Sequence, residues 1–125
     1  MKEKLTETYE DYLEQIYCFE INGTKEIRSQ MLAKCFDVSK AAVAKVTNKL
    51  VDDGYIEKES YGTINLTSKG RDTAKIVLDK HQSIRTFLRL IGVSPENAEI
   101  DCCKIEHVIC DETLEKIKDF INSKE

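Results

Sequence analysis

Three strong metal-ligand types stand close together at Cys103, Glu106 and His107, in the stretch Cys102-Cys103-Lys104-Ile105-Glu106-His107. Their spacing is i, i+3 and i+4, so on a helix all three share one face. A thiolate, a carboxylate and an imidazole directed at one point suit a divalent transition metal, provided that other parts of the chain close the coordination sphere. Each residue also has a plainer reading. Cys103 would serve as a small buried thiol, and Glu106 with His107 as an ordinary surface ion pair. The coincidence of three ligand types at that spacing favours the metal.

The remaining donors lie far away in sequence. Asp11 and Glu14 stand three apart beside the apolar stripe of an N-terminal amphipathic segment, and His81 is one of only two histidines in the chain. Together, Asp11, Glu14, His81, Cys103, Glu106 and His107 offer a donor for every position of an octahedral or trigonal-bipyramidal site. A competing role for Asp11 is helix capping, since it follows Thr8 by three residues and acids are favoured in a first turn. Cys102 lies about 100° around the helix from Cys103, which predicts that it packs inward rather than ligating.

The elements that must position these side chains are legible from periodicity and caps. Residues 8–22 read as a helix with Thr8 as N-cap and Tyr9, Leu13, Ile16 and Tyr17 on its apolar face, ended by Asn22-Gly23. A short helix from Ser29 to Cys35, a tight turn at Phe36-Asp37-Val38 and a second helix capped by Ser39 and closed by Gly54 follow. Two helices joined by so short a turn have helix-turn-helix geometry, whose second helix typically enters the DNA major groove. Two short strands about a Tyr61-Gly62 turn then make a wing. The order predicts a mainly α fold with one small β-hairpin: a winged helix-turn-helix followed by a helical dimerisation domain.

On that plan Ser39, Lys40, Ala41, Ala42, Lys45 and Lys49 populate the recognition helix, with Tyr61 and Thr63 at the wing. One lysine alone is more often a solvated helix face, but three on one helix favour phosphate contact. The alanines leave room for close approach to the groove, although alanine is also simply a good helix former. Thr67-Ser68-Lys69-Gly70 begins a long helix to about Leu90 that carries His81 at its middle. Ser94-Pro95 opens the helix bearing the cysteine cluster, and Asp111 is the expected cap of a last helix with Leu114, Ile117, Phe120 and Ile121 on one face. So short a C-terminal half should pack against a copy of itself, giving a homodimer. The division expected is residues 1–72 for DNA binding and 73–125 for metal binding and dimerisation.

With 125 residues, 41% of them hydrophobic, the chain can bury a core in one compact unit or in two small ones sharing a long helix. The net charge of −4 is unevenly spread: residues 24–70 carry eight basic against six acidic groups, the only third with a basic excess. No apolar run of about 18 residues and no signal-peptide stretch occurs, which predicts a cytoplasmic protein with reduced cysteines and no membrane partner. The five cysteines form no CxxC pair, against a zinc ribbon or a thioredoxin-like motif. A metal hydrolase using Glu106 or Glu14 as base fits poorly, because there is no HExxH motif and too little chain to build a pocket for a small-molecule substrate. The alternative retained is a winged-helix thiol redox sensor acting through Cys102 and Cys103.

The chain resembles the family of metal-dependent repressors that includes the diphtheria toxin repressor and the manganese transport regulator. The resemblance runs through Glu10-Asp11-Tyr12-Leu13-Glu14-Gln15-Ile16-Tyr17, the winged helix, Leu66-Thr67-Ser68-Lys69-Gly70, Lys80-His81, Phe87-Leu88-Arg89 with Ile91-Gly92-Val93, and Ile105-Glu106-His107-Val108. It implies a repressor of metal-homeostasis genes, not an enzyme, with a regulatory metal bridging the DNA-binding and dimerisation domains and a double-stranded DNA operator as partner. Asp11, Glu14, His81, Cys103, Glu106 and His107 fall on the family's ligand positions. Asp11 and Glu14 resemble the manganese branch, whereas Cys103 resembles the iron branch. Glu99 stands where the iron branch has a histidine, and Arg85, where that branch has an acid, would repel a cation. Fe²⁺ or Mn²⁺ is therefore the expected cofactor, with Co²⁺, Ni²⁺ or Zn²⁺ as substitutes.

Overall fold

The structure, a computed structural model, describes residues 6–124. The chain divides into two compact units, one running to Lys75 and the other starting at Ile76.

The first unit opens with helix α1 (Glu7–Ile21). Its cap is Thr6, not Thr8: the Thr6 hydroxyl accepts a hydrogen bond from the Tyr9 backbone N–H at 3.3 Å. Two threonines compete for the role, and the helix starts at the earlier one. Asp11 thus sits beyond the first turn, which removes its capping role. Helix α2 (Ser29–Phe36) ends at Asp37, whose φ of 54° is left-handed and turns the chain into α3 (Lys40–Asp52). Ser39 caps α3, accepting from the Ala42 N–H at 3.1 Å.

Strands β1 (Ile56–Lys58) and β2 (Ile64–Leu66) pair antiparallel, Ile56 opposite Leu66 and Lys58 opposite Ile64. The segment before α2 joins this edge: the Ile64 N–H donates to the Ile27 carbonyl at 2.8 Å, and Arg28 bridges Thr63. The core comprises Leu13 and Ile16 of α1, Leu32 of α2, Val43 and Leu50 of α3, and Ile56, Ile64 and Leu66 of the hairpin. Tyr12 stacks on Phe36 with ring centroids 4.5 Å apart. Each of these aliphatic side chains contributes about 1.5–3 kcal/mol by leaving water, so the helix-turn-helix rests on a rigid, self-contained base.

Helix α4 (Ser68–Leu90) begins in the first unit and continues into the second. Thr67 accepts from the Gly70 N–H at 3.1 Å while donating to the Gly54 carbonyl at 2.7 Å. Gly70 is required by contact: a Cβ there would lie 1.9 Å from the Tyr55 carbonyl oxygen.

In the second unit, α5 (Pro95–Ile105) and α6 (Asp111–Ser123) join the remainder of α4. Ser94 caps α5, accepting from the Asn97 N–H at 3.3 Å. The residue before α6 is Cys110, with no side-chain cap bond, so Asp111 is the first helical residue and not the cap. Phe87 and Phe120 meet edge to face at 5.4 Å, and Lys118 pairs with Asp79, which fixes α6 along α4. Val77, Ile84, Ala98 and Cys102 are buried, yet no described residue of α6 is.

Candidate metal centre and nucleic-acid face

The opening cluster does not lie wholly on a helix. Helix α5 ends at Ile105, Cys103 falls in its last turn, Glu106 is the C-cap and His107 lies in the turn beyond. Glu106 nevertheless keeps right-handed helical dihedrals (φ −56°, ψ −26°), so the one-face relation survives past the end of the helix. His81 is held by α4. Its Nδ1 lies 3.2 Å from Glu106 Oε1, which in turn lies 3.7 Å from His107 Nε2, and Cys103 Sγ is 3.9 Å from His81 Nδ1. His81, Glu106 and His107 are buried.

These separations are those of neighbouring donors around a single ion. Metal–ligand bonds of about 2.0–2.3 Å place adjacent donors roughly 3–4 Å apart. Two buried imidazoles, a buried carboxylate and a half-buried thiol at such distances fit a divalent cation, whose charge would offset the desolvation of Glu106. The chemistry that this set of donors offers is ligation.

The other ring nitrogen of His81 faces a different set. His81 Nε2 lies 3.0 Å from Glu99 Oε1 and 3.5 Å from Cys102 Sγ. Glu99 uses its second oxygen to accept from Arg85 Nη1 at 3.1 Å. Burial works against ionisation of Glu99, but the Arg85 hydrogen bond and the His81 and Arg85 charges hold its pKa below the ordinary value. Arg85 therefore binds the acid of this corner. Cys102 is fully buried, as its helical position predicts, yet the interior it enters contains His81. Packing and proximity to a candidate metal donor coincide there. Burial, then the nearby Glu99 and Glu106 charges, push the Cys102 thiol up to about 11. So little thiolate at neutral pH makes it a poor target for oxidants, which disfavours the redox alternative. Glu99 and Cys102 were absent from the ligand set read from the sequence, although Glu99, Cys102 and Cys103 repeat the i, i+3, i+4 spacing.

In the first unit Asp11 and Glu14 stand three apart on α1, both half-buried, while Tyr12 and Leu13 between them enter the core. That anchoring fixes where the two carboxylates leave the helix.

The helix-turn-helix presents Lys40, Ala41, Lys45 and Lys49 outward, with Ala42 half-buried and Ser39 engaged as cap. Lys49 pairs with Asp53 at 3.5 Å, a contact between partly exposed groups that phosphate can replace. At the wing Tyr61 is 64% exposed. Thr63 differs from the expected placement: it is buried at the bridge to Arg28, so its side chain is not presented to a ligand. The residue missed is Arg28. Its Nη1 donates to the Tyr61 carbonyl at 2.7 Å, bracing the wing tip with a partly exposed cation.

Comparison with known proteins adds the lineage. Residues 4–64 match the model described as "Iron dependent repressor, N-terminal DNA binding domain", and residues 67–125 match "Iron dependent repressor, metal binding and dimerisation domain". An uncharacterised HTH-type transcriptional regulator of Methanocaldococcus jannaschii is 39% identical over 118 residues, 94% of each chain. The HTH-type transcriptional regulator MntR of Bacillus subtilis is 34% identical over 116 residues, 93% of this chain and 81% of its own. Among solved structures, the manganese regulator SloR is similar with a TM-score of 0.82 and 28% identity, covering 94% of this chain and 55% of that one. A manganese-dependent transcriptional repressor in complex with manganese shares the fold at a TM-score of 0.85 and 23% identity, over 91% of this chain and 52% of its own. The chain thus spans about half the length of these two structures. Neither the family models nor these relatives support the thiol-redox alternative.

Proposed function

This chain belongs to the iron-dependent repressor family, and from that premise we propose that it is a metal-dependent transcriptional repressor in which one divalent ion, Fe²⁺ or Mn²⁺, couples DNA binding to metal supply. In this reading residues 1–72 read the operator and residues 73–125 bind metal and dimerise. Family members of this kind are DNA-binding regulators and not enzymes. The ligand set is Asp11, Glu14, His81, Cys103, Glu106 and His107. The observation that carries it is the convergence of His81 Nδ1, Glu106 Oε1, His107 Nε2 and Cys103 Sγ in the second unit.

A bound ion would supply positive charge and more coordination directions than that half-shell fills. Asp11 and Glu14 are the oxygen donors assigned to the remaining positions, on their spacing along α1 and on family membership. Ligation by both domains makes the affinity for metal depend on their arrangement, and by linkage the arrangement depends on metal. A hundredfold preference for the DNA-competent form amounts to about 2.7 kcal/mol of coupling. A dimer reads half-sites separated by whole helical turns of roughly 34–36 Å, so a change in the spacing of two recognition helices is enough to switch operator affinity. DNA contact is assigned to Ser39, Lys40, Ala41, Ala42, Lys45, Lys49 and Tyr61. Thr63, being buried, is assigned to the wing's interior instead.

Large apolar side chains left exposed on the second unit, among them Ile76, Leu90, Ile91, Ile100 and Val108, support homodimerisation. No helix among the described residues is long and apolar enough to cross a membrane, and the place of action proposed is the cytoplasm, with DNA.

The test is operator binding titrated with Mn²⁺, anaerobic Fe²⁺, Co²⁺ and Zn²⁺. Asp11→Asn with Glu14→Gln should abolish the metal response, about a hundredfold in affinity at saturating metal. Cys103→Glu should shift preference towards Mn²⁺, because an oxygen donor replaces a soft one. Operator binding that ignores metal in the parent chain would refute the reading.

A further inference from the structure

His81 has a carboxylate at each ring nitrogen. Nδ1 lies 3.2 Å from Glu106 Oε1, and Nε2 lies 3.0 Å from Glu99 Oε1. A neutral imidazole carries one N–H and one lone pair, so only one of these carboxylates can accept from it. We propose that Glu99, oriented by Arg85, is a positioning residue of the metal centre: it accepts the Nε2–H hydrogen bond of His81 and so reserves Nδ1 for the metal.

The two tautomers treat the candidate donors in opposite ways. With the proton on Nδ1, the ring donates to Glu106 Oε1 and is satisfied without an ion. That single hydrogen bond occupies two donors of the centre at once, and Cys103 Sγ, 3.9 Å from Nδ1, then faces an N–H instead of a lone pair. With the proton on Nε2, the Nδ1 lone pair, the Glu106 carboxylate and the Cys103 sulfur all face the same point. This second arrangement needs an acceptor at Nε2, because His81 is buried and an unpaired buried N–H bears its full desolvation cost. Glu99 supplies it. The other polar atom near Nε2 is Cys102 Sγ at 3.5 Å, a weak acceptor that itself donates to the Glu99 backbone carbonyl at 3.3 Å.

Arg85 gives that acceptor its direction. It follows His81 by four residues on α4, so the imidazole and the guanidinium leave one face of the helix a turn apart. Arg85 Nη1 donates to Glu99 Oε2 at 3.1 Å while Oε1 meets Nε2, and one carboxylate thereby spans both α4 side chains. Arg85 and Glu99 are 42% and 49% exposed, which makes their ion pair worth little to stability. Its effect is geometric: it fixes the rotation of the carboxylate that fixes the ring. Losing such an outer partner weakens a metal site by about 10–100-fold. Water can reach half-exposed Glu99 and stand in for it as acceptor, which places the expected loss at the lower end.

The role rests on the metal centre proposed above, and the test keeps the two apart. The full chain with ¹⁵N-labelled histidine and one equivalent of Zn²⁺, a diamagnetic probe, should give two resolved rings in a long-range ¹H–¹⁵N correlation, since the chain has two histidines. His81 should be metal-bound at Nδ1 and protonated at Nε2, with an Nε2–H slow to exchange with water. Metal at Nε2, or a proton at Nδ1, overturns the proposal. Mn²⁺ affinity measured without DNA should fall about tenfold in Glu99→Ala, with a fast-exchanging Nε2–H, and return close to the parent's in Glu99→Gln, whose amide oxygen still accepts. An equal loss in both variants makes Glu99 a direct ligand and overturns the assignment; so does parental affinity in Glu99→Ala. Arg85→Ala should give a smaller loss in the same direction, and no loss overturns its part. Circular dichroism checks folding, and if Glu99→Ala fails it, the tautomer of the parent chain decides. Operator binding that ignores Mn²⁺ in the parent would end the metal-switch reading while leaving the tautomer and the Glu99 series to stand or fall by themselves.

Discussion

The two units distribute polarity in opposite ways. In the first, the buried positions are aliphatic and aromatic, from Leu13 and Ile16 to Leu50 and Ile64, with two uncharged threonines, Thr47 and Thr63, and the lysines of α3 stand outside. In the second, the buried polar and charged groups are His81, Glu106 and His107, while Ile76, Leu90, Ile91, Ile100 and Val108 are exposed, Val108 to 77%. A unit of the first kind is stabilised by burial alone. A unit of the second kind carries desolvated donor groups and unburied hydrocarbon, and on the function proposed above both deficits would be relieved by binding, of metal in one case and of a second copy in the other. The contrast separates a reader of fixed shape from a sensor whose stability depends on what it binds.

Several changes would break or sharpen this contrast. Gly70→Ala should have the largest effect. Its Cβ meets the Tyr55 carbonyl at 1.9 Å, so denaturant unfolding should show a loss of roughly 3 kcal/mol or more, confined to the first unit. Metal loading should act mainly on the other unit and on α1, where Asp11 and Glu14 are the assigned donors. At a free concentration a hundred times Kd it should stabilise by about 2.7 kcal/mol, with hydrogen exchange slowed around His81, α5 and α1 and little changed at Leu50. Equal protection in both units would erase the distinction. Ser39→Ala removes the cap bond to Ala42 and should lower the stability of the first unit by about 1 kcal/mol at any metal concentration. The smallest effect belongs to Lys45→Ala: no measurable change in unfolding, but operator binding whose logarithmic salt slope falls by about 1, the signature of one lost phosphate contact. A variant that lost stability instead would place Lys45 in the fold rather than at the DNA.

Much of the first unit was legible because its signals are local. Ser39, Gly54 and Gly70 each dictate the backbone within a turn of themselves, and the alternation of Ile56, Ile64 and Leu66 sets the hairpin register. The misses were local choices between near-equivalents. Thr6 rather than Thr8 caps α1, and Cys110 rather than Asp111 precedes α6, because neighbouring residues differ by only fractions of a kcal/mol in starting a helix. Thr63 is buried for another reason: alternation puts it on the face of exposed Asn65, and only the bridge to Arg28, distant in sequence, lies against it there.

The chemistry divides the same way. The sequence by itself determined the donor types on offer, the family and the close spacing of Cys103, Glu106 and His107, because these depend on residue identity and order along the chain. Only the tertiary structure decided what His81 stands between. Its α4 backbone sets one nitrogen towards Glu106 and the other towards Glu99 and Cys102, all separated from it by 18 residues or more. No local signal carries such a meeting. It follows from how α4 and α5 pack, and packing is fixed by the side chains of both helices together.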